Sequence, residues 1–183
     1  RSVFQAESVF SITVGQTCVM PGAGAPSNDR ICPLSPTPAP PPCRMMQTPV
    51  GWPFFAPDGR ALALFRDEKL RRYVLSNGPL RVLAGAPNAL GGTWSADDTI
   101  VYQPAFGEPT LYRAPAAGGQ AQPLPLALPD AVSPTYPQFL PDGRRLLVSS
   151  ATGTYLGSLE EPGARLVMPL RGRAEYAAGF LHY

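Results

Sequence analysis

Three times in 183 residues the chain writes an aromatic residue, a spacer, a Pro-Asp-Gly or its relic, and then an apolar run. The copies are Phe55-Ala56-Pro57-Asp58-Gly59, Trp94-Ser95-Ala96-Asp97-Asp98 and Phe139-Leu140-Pro141-Asp142-Gly143. Their proline positions, 57, 96 and 141, lie 39 and 45 residues apart. Such a run forms a hairpin turn for a chemical reason. Proline presets φ near −65° at the second position, aspartate bonds back to the backbone, and glycine accepts a positive φ. The aromatic ahead of the turn is expected to pack between stacked sheets, where burial contributes about 1.5–3 kcal/mol. In the middle copy Ala96 replaces proline and Asp98 replaces glycine, so that turn is expected to persist in weaker form.

A repeat of 40–45 residues that contains only short strands points to a propeller, in which four-stranded sheets are arranged about an axis. Helical repeats of similar length would show apolar residues at 3.6 spacing, and none is present. The first unit resolves into strands near 52–56, 61–65, 70–75 and 80–83. The second gives 91–95, 99–102, 110–114 and 121–124, and the third 136–140, 145–149, 154–158 and 165–168. Residues 174–183, AEYAAGFLHY, open a fourth. Both alternating faces of ALALF (61–65) are apolar, as suits a strand covered on both sides. The fold class expected is all-β: a partial β-propeller of about three four-stranded antiparallel blades plus the start of a fourth.

Residues 1–49 read differently from 50–183. The units fall at about 50–85, 90–126, 134–170 and 174–183. Before them, SVFSITVGQTCVM (8–20) offers one or two strands, followed by PLSPTPAPPP (33–42), with six prolines in ten residues. That run favours polyproline II or disorder over a sheet interior, so 1–49 reads as a strand-poor, Pro-rich segment or linker. All three cysteines, Cys18, Cys32 and Cys43, lie in it. Their spacing matches no zinc pattern, and an odd count excludes a fully paired set. One disulfide with a leftover thiol remains open, with three incidental thiols the favoured reading.

Charge excludes some partners. Net charge is +2, Lys69 is the only lysine, and charged residues are 15% of the chain against about 25% in an average domain, so there is no nucleic-acid footprint. No apolar run reaches the roughly 18–20 residues of a membrane helix, and residues 1–20 lack the order of a signal peptide. The start at Arg1 and the apolar run ending at Tyr183 lead to the expectation of a fragment.

Phe55–Phe65 and Phe139–Ser149 resemble the Pro-Asp-Gly repeat of TolB-like, WD-repeat-like β-propellers. The runs GGTWSADDTIVYQPAFGEPTLYRAPAAGGQAQPL (91–124) and YPQFLPDGRRLLVSSATGTYLGSLEEP (136–162) resemble the C-terminal propeller of bacterial serine/threonine protein kinases. The resemblance covers about residues 50–183. It implies a non-catalytic interaction or sensing module that takes a protein, a peptide or a small ligand at the propeller face, within a bacterial signalling protein. It also implies an extracytoplasmic or periplasmic position if a membrane helix precedes the propeller. Related propellers accompany prolyl-oligopeptidase-like serine peptidases or act as periplasmic TolB-like partner proteins, and these are the alternatives. Such propellers have six or more blades, so the remaining blades of the parent or another copy are expected to close the stack and cover its apolar end faces.

No catalytic, cofactor-binding or metal-ligating residue is expected. A kinase needs a phosphate loop, a strand lysine and the His-Arg-Asp and Asp-Phe-Gly motifs, all missing here. PGAGAP (21–26) lacks the G-x-G-x-x-G order. LGSLE (156–160) lacks the second glycine of a nucleophile elbow. The single histidine, His182, reads as a structural or exposed residue, and Asp58, Asp97 and Asp142 read as turn formers. Arg71-Arg72, Arg144-Arg145 and Arg171/Arg173 read as solvated edges, where arginine deters unwanted strand pairing. Trp52, Trp94, Tyr136 and Phe139 read as inter-blade core, with a funnel-lining role for Trp94 beside Gly91-Gly92 as the minority reading.

Overall fold

The computed structural model describes residues 17–20, 30–33, 44–45, 51–76, 78–129, 132–177 and 179–183. Two compact units divide the chain, Arg1–Val50 and Gly51–Tyr183. In the first, β1 (Thr17–Met20), β2 (Arg30–Pro33) and β3 (Arg44–Met45) form an antiparallel sheet in the order β1-β2-β3. Pro33 closes β2, and most of the proline run, PGAGAP and Cys43 lie outside the described residues.

The second unit carries three four-stranded antiparallel sheets and a hairpin. Sheet one holds β4 (Gly51–Phe55), β5 (Ala61–Arg66), β6 (Lys69–Val74) and β7 (Arg81–Gly85). Sheet two holds β8 (Gly92–Trp94), β9 (Thr99–Tyr102), β10 (Tyr112–Pro115) and β11 (Gln122–Pro123). Sheet three holds β12 (Thr135–Phe139), β13 (Arg145–Ser149), β14 (Thr154–Ser158) and β15 (Ala164–Met168). The hairpin pairs β16 (Glu175–Ala177) with β17 (Phe180–His182). Each sheet is a meander in chain order, and the first strands β4, β8 and β12 pack edge to edge, which places them nearest the axis. Every expected strand of the three blades lies within two residues of an observed one. Among the described residues no helix is long and apolar enough to cross a membrane.

Alternation along β9 shows how the stack is held. Ile100 and Tyr102 point to sheet one and join a core of Phe54, Ala63, Phe65, Leu70 and Trp94. Val101 points the other way and joins Leu111, Leu124, Leu146, Val148 and Tyr155. A period of two on a strand buried on both faces thus fills two cores at once. The wedge aromatic keeps one sense of packing. Trp94 belongs to the core shared with sheet one, and Phe139 packs on the core shared with sheet two, so each faces the preceding sheet.

The turns repeat as expected, with one departure. Gly59 donates to Ala56 O at 2.9 Å and Gly143 to Leu140 O at 2.9 Å, with φ of 68° and 69°. Asp98 takes the equivalent place, with φ 62° and a 3.2 Å bond to Ser95 O. The middle hairpin is shorter by one residue, however. Phe55 pairs with Leu62 and Phe139 with Leu146, but Trp94 already pairs with Ile100. The Ser95 hydroxyl accepts from Thr99 N at 3.2 Å and donates to Asp97, closing the tighter loop that lacks both proline and glycine.

Gly92 marks a close approach of sheets one and two, since a Cβ there would lie 2.5 Å from the Phe54 ring. Gly92→Val is expected to destabilise the unit by about 1–3 kcal/mol through overpacking, read as a lower urea midpoint.

Candidate binding face

The face where the first strands begin is built by one backbone device used three times. Counting back from the wedge aromatics Phe55, Trp94 and Phe139, the third residue is Trp52, Gly91 and Tyr136. All three have positive φ, at 45°, 93° and 47°. A β-bulge accompanies it in sheets one and three, where the register shifts between Gly51 and Phe54 and between Thr135 and Gln138. Proline follows both aromatics, in Trp52-Pro53 and Tyr136-Pro137, and removes a ladder donor where the bulge interrupts pairing. Glycine adopts this conformation freely, whereas an aromatic residue there costs about 1–3 kcal/mol, and such strain gathers at functional sites.

The strained residues converge. The rings of Trp52 and Tyr136 meet edge to face with centroids 4.8 Å apart. Tyr136 N donates to Leu90 O at 3.0 Å, and a Cβ on Gly91 would lie 3.1 Å from Tyr136 Cα, so the glycine of sheet two makes room for the tyrosine of sheet three. Arg173, just ahead of β16, sets its guanidinium 5.8 Å from the Trp52 ring centre and 5.5 Å from that of Tyr136. It also pairs with Glu175. The result is a cation held against two half-buried aromatic rings, an arrangement that offers both charge and flat apolar surface.

Loops from sheet two extend the same face. Gln103 is fully buried and receives no solvent. Its N–H donates to Gly91 O at 3.3 Å, and its Nε2 donates to Ser133 Oγ at 2.8 Å. Ser133 in turn donates to Glu108 O at 2.8 Å, while among the described residues Gln103 Oε1 has no hydrogen-bond partner. Phe106 N bonds to Asn88 O at 3.0 Å, and the Phe106 side chain is 73% exposed. Sequence patterns did not single out Gln103, Ser133 or Phe106. The available signal was Trp-Pro and Tyr-Pro recurring three residues ahead of the wedge, with Gly91 at the same place.

Other sequence candidates resolve differently. Trp94 does not line the face. It lies in the core between sheets one and two, its Nε1 donating to Asp98 Oδ1 at 3.1 Å. Arg72 is no solvated edge either, because its guanidinium sits 5.5 Å from the Trp94 ring and reaches Ala116 O at 3.2 Å. Arg71 pairs with Asp67, Arg144 with Glu160 and Arg145 with Asp142. Asp58 accepts from Arg60 N at 2.9 Å. Asp142 accepts from the N–H groups of Arg145 and Arg144, which hold its carboxyl down at about 2. The Ser95 hydroxyl similarly lowers Asp97. These aspartates close turns. Ser158 of LGSLE accepts from Glu160 N at 3.2 Å, and Gly157 lies against Leu126. His182 is exposed on β17. Among the described residues no three His, Cys, Asp or Glu side chains gather as a metal site would require.

A TolB from Acinetobacter baumannii matches with a TM-score of 0.61 at 17% identity, over 77% of this chain and 37% of that one. A protein assigned as TolB from Agrobacterium tumefaciens gives a TM-score of 0.64 at 16% identity, over 81% of this chain and 59% of that one. The chain has a TolB-like β-propeller fold. Hsv2 from Kluyveromyces lactis also matches, with a TM-score of 0.61 at 14% identity over 87% of this chain and 51% of that one. The chain thus spans only part of the length of these proteins, from 37% to 59%. No protein-family model matches the chain, and none of the curated proteins matches its sequence.

Proposed function

We propose that the chain is a non-catalytic interaction or sensing module that takes a protein or peptide segment on the face formed by Trp52, Gly91, Tyr136, Phe106 and Arg173. One observation carries this reading. Two aromatic residues are held in a strained conformation at the position where sheet two uses glycine, and both converge on one arginine. Aromatic residues and arginine are the side chains enriched at binding hot spots. A likeness to a propeller in a nidogen/laminin complex, with a TM-score of 0.56 at 16% identity, supports protein binding as something this fold accommodates.

The module belongs, in this proposal, to a larger bacterial signalling protein such as a serine/threonine kinase, on its extracytoplasmic side. The 91–124 and 136–162 runs support that assignment. Closure by further blades of the parent, or by another copy, is supported by apolar side chains exposed near the last hairpin: Leu166, Phe180 and Tyr183 are 47%, 70% and 81% exposed. The TolB likeness favours the second reading, a TolB-like partner protein without a kinase.

Display selection from a random peptide pool against the full chain tests the site. Selected peptides are expected to lose about thirtyfold in affinity on Tyr136→Ala and about tenfold on Phe106→Ala, matching hot-spot losses of about 2 kcal/mol or less. Phe180→Ala should leave them unchanged. Peptides indifferent to both face variants would overturn the assignment. A kinase domain encoded upstream in the same reading frame separates the first parent from the second.

A further inference from the structure

The last hairpin carries a fourth copy of the strained rim. Each wedge aromatic pairs with a leucine or isoleucine across its hairpin: Phe55 with Leu62, Trp94 with Ile100 and Phe139 with Leu146. Tyr176 pairs with Leu181 in the same way. The residue ahead of each wedge supports that register. Thr93 Oγ1 accepts from the N–H of the next wedge, Phe139, at 3.0 Å. Gln138 does the equivalent, its Oε1 accepting from Tyr176 N at 2.6 Å and its Nε2 donating to Tyr176 O at 3.0 Å. Tyr176 is therefore the wedge of the hairpin, and Arg173, three residues before it, stands in series with Trp52, Gly91 and Tyr136. The rim presents two rings, a glycine and one cation, and the cation lies against the rings.

That contact shows what the ring pair accepts. A guanidinium within about 6 Å of two ring centres is attracted by both, and its weakly hydrated plane suits aromatic surface better than an ammonium does. Glu175 pairs with the guanidinium and supplies the carboxylate. Two rings and a carboxylate make up a receptor for a guanidinium. Arg173 lies outside the β16–β17 ladder, which begins at Glu175. Rotation about its own side-chain bonds therefore frees the receptor and leaves Trp52, Tyr136 and Glu175 in place. We infer that this receptor takes an arginine side chain of the partner segment, and that Arg173 is its resident occupant, displaced when the partner binds. The inference rests on the proposed peptide face and names the residue that the face selects. A tethered occupant competes at an effective concentration in the millimolar range, so a lone arginine displaces it weakly and an arginine backed by neighbouring contacts displaces it well.

NMR titration of the isotope-labelled full chain with N-acetylarginine methylamide tests this. The indole N–H of Trp52 is the reporter, and that of Trp94, bonded to Asp98 in the core, is the silent control. Arg173→Ala is expected to bind the probe about tenfold more tightly than the wild type, the ratio if Arg173 fills the receptor about nine-tenths of the time. The uncharged citrulline analogue should bind that variant about tenfold more weakly than the arginine probe, and adding Glu175→Gln should weaken the arginine probe about fivefold. Arg173→Gln should behave as Arg173→Ala does and guards against a folding defect in either. Peptides selected on the face should carry an arginine and gain about tenfold on Arg173→Ala. Arginine binding that is unchanged or weaker in both Arg173 variants, or equal binding of the citrulline analogue, would overturn the inference. Selected peptides that weaken on Tyr136→Ala and also on Arg173→Ala would overturn it too, while leaving the peptide face standing. Tighter probe binding with no peptide selected would instead refute the partner segment and assign the receptor to a free guanidinium compound.

Discussion

Tyr102→Ala is expected to cost about 3–5 kcal/mol, a large share of the 5–15 kcal/mol that holds a typical domain together. Tyr102 is 1% exposed and sits in the core between sheets one and two, with Phe65 and Tyr112 each 6.3 Å away by ring centroid. Truncation leaves a cavity at the seam the two sheets share, where neither backbone can collapse without breaking a ladder. Tyr102→Phe keeps the ring and loses only the 3.3 Å bond from the hydroxyl to Gly85 O, so its cost should be about 1 kcal/mol. The same pair predicts a pH effect. Burial, with Tyr112 adding to it, raises the Tyr102 pKa from 10.0 to about 12. The unfolded chain then loses this proton first, so the contribution is complete below pH 10 and declines as pH rises toward 12. The slope is about 1.4 kcal/mol per pH unit, and roughly 2–3 kcal/mol is at stake over that window. Urea titrations of the wild type and Tyr102→Phe between pH 9 and 12 should diverge in that direction. Parallel curves would show that the hydroxyl is not shielded from solvent.

Gly153→Ala should cost about 3–5 kcal/mol for a different reason. Gly153 has φ 151°, and a Cβ there would lie 2.4 Å from Met168 O and 3.2 Å from Pro169 Cα. Both obstacles are backbone, so no side-chain rotation relieves them. Conformational strain of about 1–3 kcal/mol and overpacking of similar size then add. Gly163→Ala is the control, with φ 97° and nothing within 4 Å of its Cβ, and it should cost only about 1–2 kcal/mol. Equal losses for the two would mean that β14 and β15 separate easily and the clash is not felt.

The parts of this fold that sequence could reveal are those decided locally. Pro57-Asp58-Gly59 and Pro141-Asp142-Gly143 state their turns in residue chemistry, and ALALF states its double burial by composition. Asp98 announced that its turn survives but not that the hairpin shortens, because register depends on the partner strand and on the Ser95 hydroxyl. The candidate face was less legible still. Tryptophan and tyrosine give no cue for positive φ, and Arg173 reaches Trp52 across more than a hundred residues of chain. Trp94 was legible as inter-blade core, and its position on β8 turns it toward sheet one rather than to the funnel that its glycine neighbours offered as the minority reading. Gln103 and Ser133 are coupled through loops whose meeting no local pattern encodes.

The chain-order meander within every sheet carries a consequence for how the molecule comes to be folded. Each hairpin closes over a short stretch, so little loop entropy is lost before contacts form, and neighbours in space are neighbours in synthesis. A nascent chain leaving the ribosome can complete one leaf before the next emerges, each finished leaf serving as the template on which its successor condenses.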